Sequence, residues 1–208
     1  MQAGKRAAAR LNRWSGWPLS KPMEKQTLIY EINKDGVIVS IEGPWDNFAT
    51  SNGSTAATKE KTIGRSLFEI IKGPGVVHVY RMMHDILSSD PAKTIAFDYR
   101  CDAPGMRRFM KMEMKASGSR VLYRSTVEME EPVSPPLVLD YERQGDEIVV
   151  MCSLCKDFRY PRESSEWLPL ERLLEKAPEV FAVSHGFCPA CFQRVMGEVA
   201  DFKADSTF

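Results

Sequence analysis

Near the end of the 208-residue chain, four of its five cysteines stand in two C-x-x-C pairs, Cys152-Ser153-Leu154-Cys155 and Cys188-Pro189-Ala190-Cys191. Two such pairs in one short segment can place four thiolates at the corners of a tetrahedron, the arrangement a structural Zn²⁺ requires. Cys188 falls at the N-cap of a helix, with Pro189 as its first residue and Cys191 in its first turn. Free backbone N–H groups and the positive end of the helix dipole favour thiolate there. His185 is an alternative ligand, or a hydrogen-bond donor to a thiolate, although four cysteines already complete a site. Two other readings use the same residues: four buried cysteines serving as small hydrophobes, and a redox switch in which disulfides form and the metal leaves.

Other residues with chemistry in them are scattered. Cys101 lies between Arg100 and Asp102, with Arg107 and Arg108 across a turn, and nearby guanidinium groups would make it a candidate reactive thiol. Met110, Met112 and Met114 share one strand face, suited to packing or to a soft dimer surface. The sequence has no phosphate-cradling glycine loop with lysine, no nucleophile elbow and no histidine-glutamate metalloprotease motif. A metal closed by four cysteines has no open position for activated water, so the expectation is a protein that is not an enzyme.

These residues need elements to hold them. Leu28, Tyr30 and Ile32, then Val37, Val39 and Ile41, alternate around Asn33-Lys34-Asp35-Gly36 and predict a β-hairpin. Short helices follow at Trp45–Ala49 and around Ile63–Ile71, with a loop over Ser54–Lys61 between them. A longer helix is predicted over Val76–Ser88, and it carries His78 and His84 on different sides. Three strands come next, marked by Ile95, Phe97 and Tyr99, by the methionine stripe, and by Val121, Tyr123, Ser125 and Val127. This order implies an α+β domain with one five-stranded antiparallel sheet and helices on one side. Pro132, Pro135 and Pro136 mark a boundary, after which a short strand at Ile148–Met151, a helix over Ser165–Lys176 and a C-terminal helix around Phe192–Val199 are expected.

The element order, with Trp45-Asp46-Asn47-Phe48-Ala49, Ile63-Gly64-Arg65-Ser66-Leu67 and Arg100-Cys101-Asp102-Ala103-Pro104 followed by Arg107-Arg108, resembles a PAS domain of a bacterial subgroup. Met151-Cys152-Ser153-Leu154-Cys155-Lys156 and Ser184-His185-Gly186-Phe187-Cys188-Pro189-Ala190-Cys191 resemble a cysteine tail that follows some bacterial sensory domains, similar to a zinc ribbon or treble clef. The resemblance divides the chain into a basic leader (1–24), a PAS-like domain (25–131), a proline-rich acidic linker (132–147), a four-cysteine zinc module (148–202) and a tail (203–208). It implies a sensory or regulatory module acting through protein contacts, with an unknown signalling partner and a homodimer formed by the PAS-like domain. It also implies a pocket for a small molecule or cofactor, for which His78, His84, Phe68, Tyr80 and Tyr99 are candidates. Haem is the alternative cofactor, with His78 or His84 as axial ligand, and a haem or thiol-redox sensor is the alternative function. A flavin photoreceptor of the cysteine-adduct type would need a cysteine among the early helices, where this chain has none.

Composition narrows the partners. Formal net charge is zero, and Glu163, Glu166, Glu171, Glu175 and Glu179 give the tail the wrong sign for phosphate, which weighs against a zinc-dependent nucleic-acid-binding regulator. Paired cysteines in knuckle spacing fit a reducing, cytoplasmic setting better than a secreted disulfide framework. No window approaches a bilayer span, and the basic leader lacks the apolar core of a secretory signal.

Overall fold

A computed structural model describes residues 26–103, 105–133, 147–160, 165–176 and 181–204. The predicted basic leader, most of the proline-rich linker and the last four residues of the tail lie outside these ranges.

The hairpin read from the sequence becomes two strands, β1 (Thr27–Asn33) and β2 (Ile38–Glu42), joined at Gly36, whose φ of 81° the turn requires. β1 keeps the expected alternation, but in β2 Ile38 and Ile41 are buried rather than Val37 and Val39, because the register of the pair shifts between Glu31 and Ile32. The Asn33 side chain caps that turn by accepting from the Asp35 and Val37 N–H groups. Three short helices follow, α1 (Trp45–Ser51), α2 (Lys59–Thr62) and α3 (Leu67–Ile70), then the long α4 (Pro74–Ser89). The α2 turn falls where a loop was expected. There the Lys59 N–H bonds the Asp46 carboxylate at 2.7 Å, a contact from outside the segment that its own polar sequence does not reveal. Ile63, expected in a helix, lies outside α3 and is exposed.

β3 (Thr94–Arg100), β4 (Met106–Ser117) and β5 (Arg120–Pro132) complete an antiparallel sheet in the order β2-β1-β5-β4-β3. Its inner face is written by register. Tyr30 pairs with Tyr123 across β1 and β5, and their rings stack at 4.8 Å; Ile95, Phe97 and Tyr99 pair with Met114, Met112 and Met110. The α4 stripe Val79, Met83 and Leu87 shares a core with Met112 and Met114, and Met110 is buried with them, so the methionine stripe is interior packing. A dimer surface on those three residues is thereby excluded, because each is at most 4% exposed within the single chain.

The C-terminal part forms a second sheet in the order β7-β6-β8, from β6 (Glu147–Cys152), β7 (Phe158–Arg159) and β8 (Phe181–Gly186), with helices α5 (Leu170–Lys176) and α6 (Pro189–Ala204). The helix expected from Ser165 begins only at Leu170. Pro169 forces the residue before it toward extended backbone, and Leu168 accordingly bridges to Phe158 with reciprocal N–H···O bonds of 2.7 and 2.8 Å. β8 was not expected as a strand; it runs parallel to β6 over Glu147↔Phe181 to Cys152↔Gly186. One side of this small sheet packs Val149, Met151, Phe158 and Leu173 together.

The two parts share one core. The buried cluster that contains Tyr30, Met83 and Phe97 continues into Cys152, Leu154, Cys155, Cys188, Cys191, Val195 and Val199. No helix among the described residues is long and apolar enough to cross a membrane.

Candidate metal centre

The parallel pairing of β6 with β8 brings the two cysteine pairs together. Cys152 closes β6 opposite Gly186, which closes β8, so the first pair turns out of one strand end while Cys188 follows the other by two residues. The Ser153 N–H bonds the Gly186 carbonyl at 2.8 Å and locks the two ends in this register. The first pair then folds back: the Lys156 N–H reaches the Cys152 carbonyl at 3.1 Å, and Lys156 takes the left-handed conformation, φ 61°. At the second pair the Phe192 N–H bonds the Cys188 carbonyl at 2.9 Å, which opens α6 with Cys188 as its N-cap. The Cys188 sulfur takes the side-chain part of the cap, accepting from the Cys191 N–H at 3.4 Å.

The four Sγ atoms lie within 4.8 Å of one another, and all four residues are buried. Cys155 and Cys188 sulfurs are 3.8 Å apart. A metal bonded to sulfur at about 2.3 Å in a tetrahedron has edges of about 3.8 Å, so this separation needs no adjustment to admit one. The Cys188 N–H also points at the Cys152 sulfur, at 3.4 Å. The quartet is therefore positioned to bind a metal ion, with backbone donors already aimed at two of its sulfurs.

As bare thiols Cys152, Cys155 and Cys191 cannot ionise alike. Hydrogen bonds from the Cys155 and then the Cys191 thiol hold Cys152 far below the usual thiol range. Cys155 is driven far up, chiefly because it donates to Cys152, and Cys191 is pushed up to about 12, again first by its bond to Cys152. A divalent cation reverses this by compensating all four thiolates at once.

His185 stands on β8 opposite Met151, half-buried, and is not among the clustered ligand atoms. Burial lowers its pKa, with Lys156 and Lys72 adding to the shift. Its backbone meets α4: a Cβ built on Gly73, the N-cap residue with φ 87°, would stand 2.4 Å from the His185 carbonyl oxygen.

Cys101 adjoins the centre through its neighbour Arg100. The Arg100 N–H bonds the Leu154 carbonyl at 2.7 Å, and its guanidinium donates to the Cys155 carbonyl at 3.1 Å while pairing with Asp102. Burial pushes the Cys101 thiol up, and the opposing pull of Lys156 and Arg108 is the smaller effect. Arg108 has a different main task. It is buried, pairs with Glu130 at 2.6 Å, donates to Asn52 Oδ1 at 2.6 Å and lies over the Phe48 ring, tying β4 to the end of α1.

The candidate pocket residues divide. Tyr80 and Tyr99 both meet Phe97 edge-on at 6.3 Å, and Tyr99 donates to Ser125 at 2.9 Å. Phe68 and His84 form a separate edge-on pair at 5.8 Å, with Phe68 beneath the Gly36 turn. His84 is 2% exposed and neither ring nitrogen makes a well-formed hydrogen bond among the described residues, whereas His78 is exposed on α4. Neither a protein-family model nor a curated protein matches the chain.

Proposed function

We propose that this chain is a PAS-like sensory or interaction module whose C-terminal segment, a zinc-ribbon or treble-clef-like unit, is folded around a structural zinc ion and which signals through protein contacts without catalysing a reaction. The observation that carries the metal part is the convergence of four buried sulfurs within 4.8 Å at the paired ends of β6 and β8 and the start of α6. An all-sulfur tetrahedral donor set suits Zn²⁺ or an iron–sulfur centre among the common metals. The two short knuckles, one capping a helix, favour a single zinc. Cys152, Cys155, Cys188 and Cys191 would hold it, and the ion would supply folding free energy, because four protein ligands leave no position for substrate.

The five-stranded antiparallel sheet, with helices inserted between its second and third strands, has the element order on which the PAS resemblance rests. Under this reading the sheet and α4 form the receiving part. Output passes through the segment docked on β3, where Arg100 and the Cys155 knuckle meet.

Cobalt substitution tests the metal part. The reduced chain loaded with Co²⁺ should develop the intense visible bands and thiolate charge-transfer absorption of a tetrahedral tetrathiolate, and Cys188→Ser should weaken and shift them. A weak, octahedral-type spectrum unchanged by the substitution would contradict the assignment.

A further inference from the structure

Two arginines flank the cysteine quartet, and only one has a carboxylate. Arg100 is paired with Asp102, so its charge is compensated. Arg194 stands on α6 one turn after Cys191. Its Nη2 lies 3.9 Å from the Cys191 sulfur and donates to the Asp98 carbonyl of β3 at 2.9 Å. No carboxylate among the described residues pairs with it, and its Nε is buried without a partner. A half-buried guanidinium with only a carbonyl and a sulfur for company is poorly compensated by neutral thiols.

A metal–thiolate centre changes that balance. A dication held by four thiolates keeps a double negative charge, and an N–H···S contact to one thiolate becomes charge-assisted. The Asp98 carbonyl fixes the guanidinium from the other side, at the outer edge of β3, so it meets Cys191 without a further search of rotamers.

We propose that Arg194 is the counter-charge of this metal centre: a positioning residue that steadies the Cys191 thiolate and, through Asp98, ties the centre to the edge of the large sheet. The assignment rests on the metal reading above and adds to it a residue that sequence spacing alone did not single out.

The test is zinc affinity of the full chain, measured by competition with a colorimetric zinc chelator, for the wild type, Arg194→Gln and Arg194→Lys. Gln keeps a hydrogen-bond donor and removes the charge; Lys keeps the charge. Loss of an outer-shell partner commonly costs about ten- to a hundredfold in metal affinity, and R194Q should fall in that range with R194K recovering most of the loss. An R194Q equal to wild type, or an R194K as weak as R194Q, would overturn the proposal, since a packing role would not separate Gln from Lys. Should R194Q fail to fold, R194K decides alone: near-wild-type affinity supports the assignment, and a loss of about tenfold or more overturns it. A wild-type chain that binds no zinc tightly would sink the metal reading and this assignment together, whereas tight wild-type binding beside an unaffected R194Q sinks only the assignment.

Discussion

His84 carries a poorly compensated side chain in the interior of the large sheet's core. It is 2% exposed, neither ring nitrogen makes a well-formed hydrogen bond among the described residues, and burial lowers its pKa against smaller opposing effects from marginal hydrogen bonding to the backbone of Lys34 and Asn33 and from the Asp85 charge. A histidine whose folded pKa lies below its unfolded value of about 6.5 binds its proton more readily when unfolded. This group therefore leaves native stability undiminished above that value and erodes it as the pH falls below. His84→Leu removes the orphaned polar atoms, which cost about 1–3 kcal/mol when buried, and should leave the chain at least as stable as wild type near neutral pH. The advantage of H84L should widen as the pH is lowered to about 5, read as the difference in melting temperature between the two proteins. His185 shifts in the same direction and remains in both, so the comparison isolates His84. The four cysteines were legible from spacing because a metal demands particular atoms at particular intervals. His84 was named from the sequence as a candidate pocket residue, but its burial was not legible: it falls outside the apolar stripe read on the long helix, and spacing does not announce that an imidazole there is packed into the core.

At the scale of elements, the segments with a strong period were legible. The hairpin, the long helix, the three following strands and the C-terminal helix all appear in the structure near their expected bounds. What escaped depended on distant partners. β8 is a strand because Glu147–Cys152 lies beside it, and the Phe181–Gly186 sequence ends in Ser184-His185-Gly186, with no alternation to mark it. The contact of β8 with α4 is equally invisible in sequence, yet it fixes one glycine. Gly73 combines a positive φ with a backbone oxygen 2.4 Å from where a Cβ would stand, whereas a Cβ on Gly75 meets nothing within 4 Å. Gly73→Ala should lower unfolding free energy by about 1–3 kcal/mol, and Gly75→Ala, in the first turn of α4, should change it little, as read by urea denaturation. Equal effects of the two substitutions would mean that the α4–β8 approach is not tight.

For the whole molecule, the sequence suggested two modules joined by a linker; among the described residues one buried cluster passes from the large sheet to the cysteines, and a second, smaller one lies within the small sheet and α5. The junction is made of small, specific contacts: Arg100 to Leu154 and Cys155, Arg194 to Asp98, Arg107 paired with Glu171, and Gly73 against His185. Two of them, at the Arg100 N–H and the Asp98 carbonyl, occupy backbone groups of β3, the edge strand of the large sheet, and an edge covered there is blunted against pairing with another chain. None of these contacts could be read from spacing, since each joins residues far apart along the chain. Under the proposed function, these contacts are the route by which a metal bound at the cysteine quartet and the large sheet would act on one another. The claim on which this account rests is that the cysteine quartet holds zinc, and native mass spectrometry of the reduced chain, alongside Cys188→Ser, tests it most directly. The expected result is a wild-type mass that exceeds the sequence mass by about one zinc ion per chain and a C188S chain that has lost it. A folded wild-type chain that carries no metal after incubation with zinc would contradict the account.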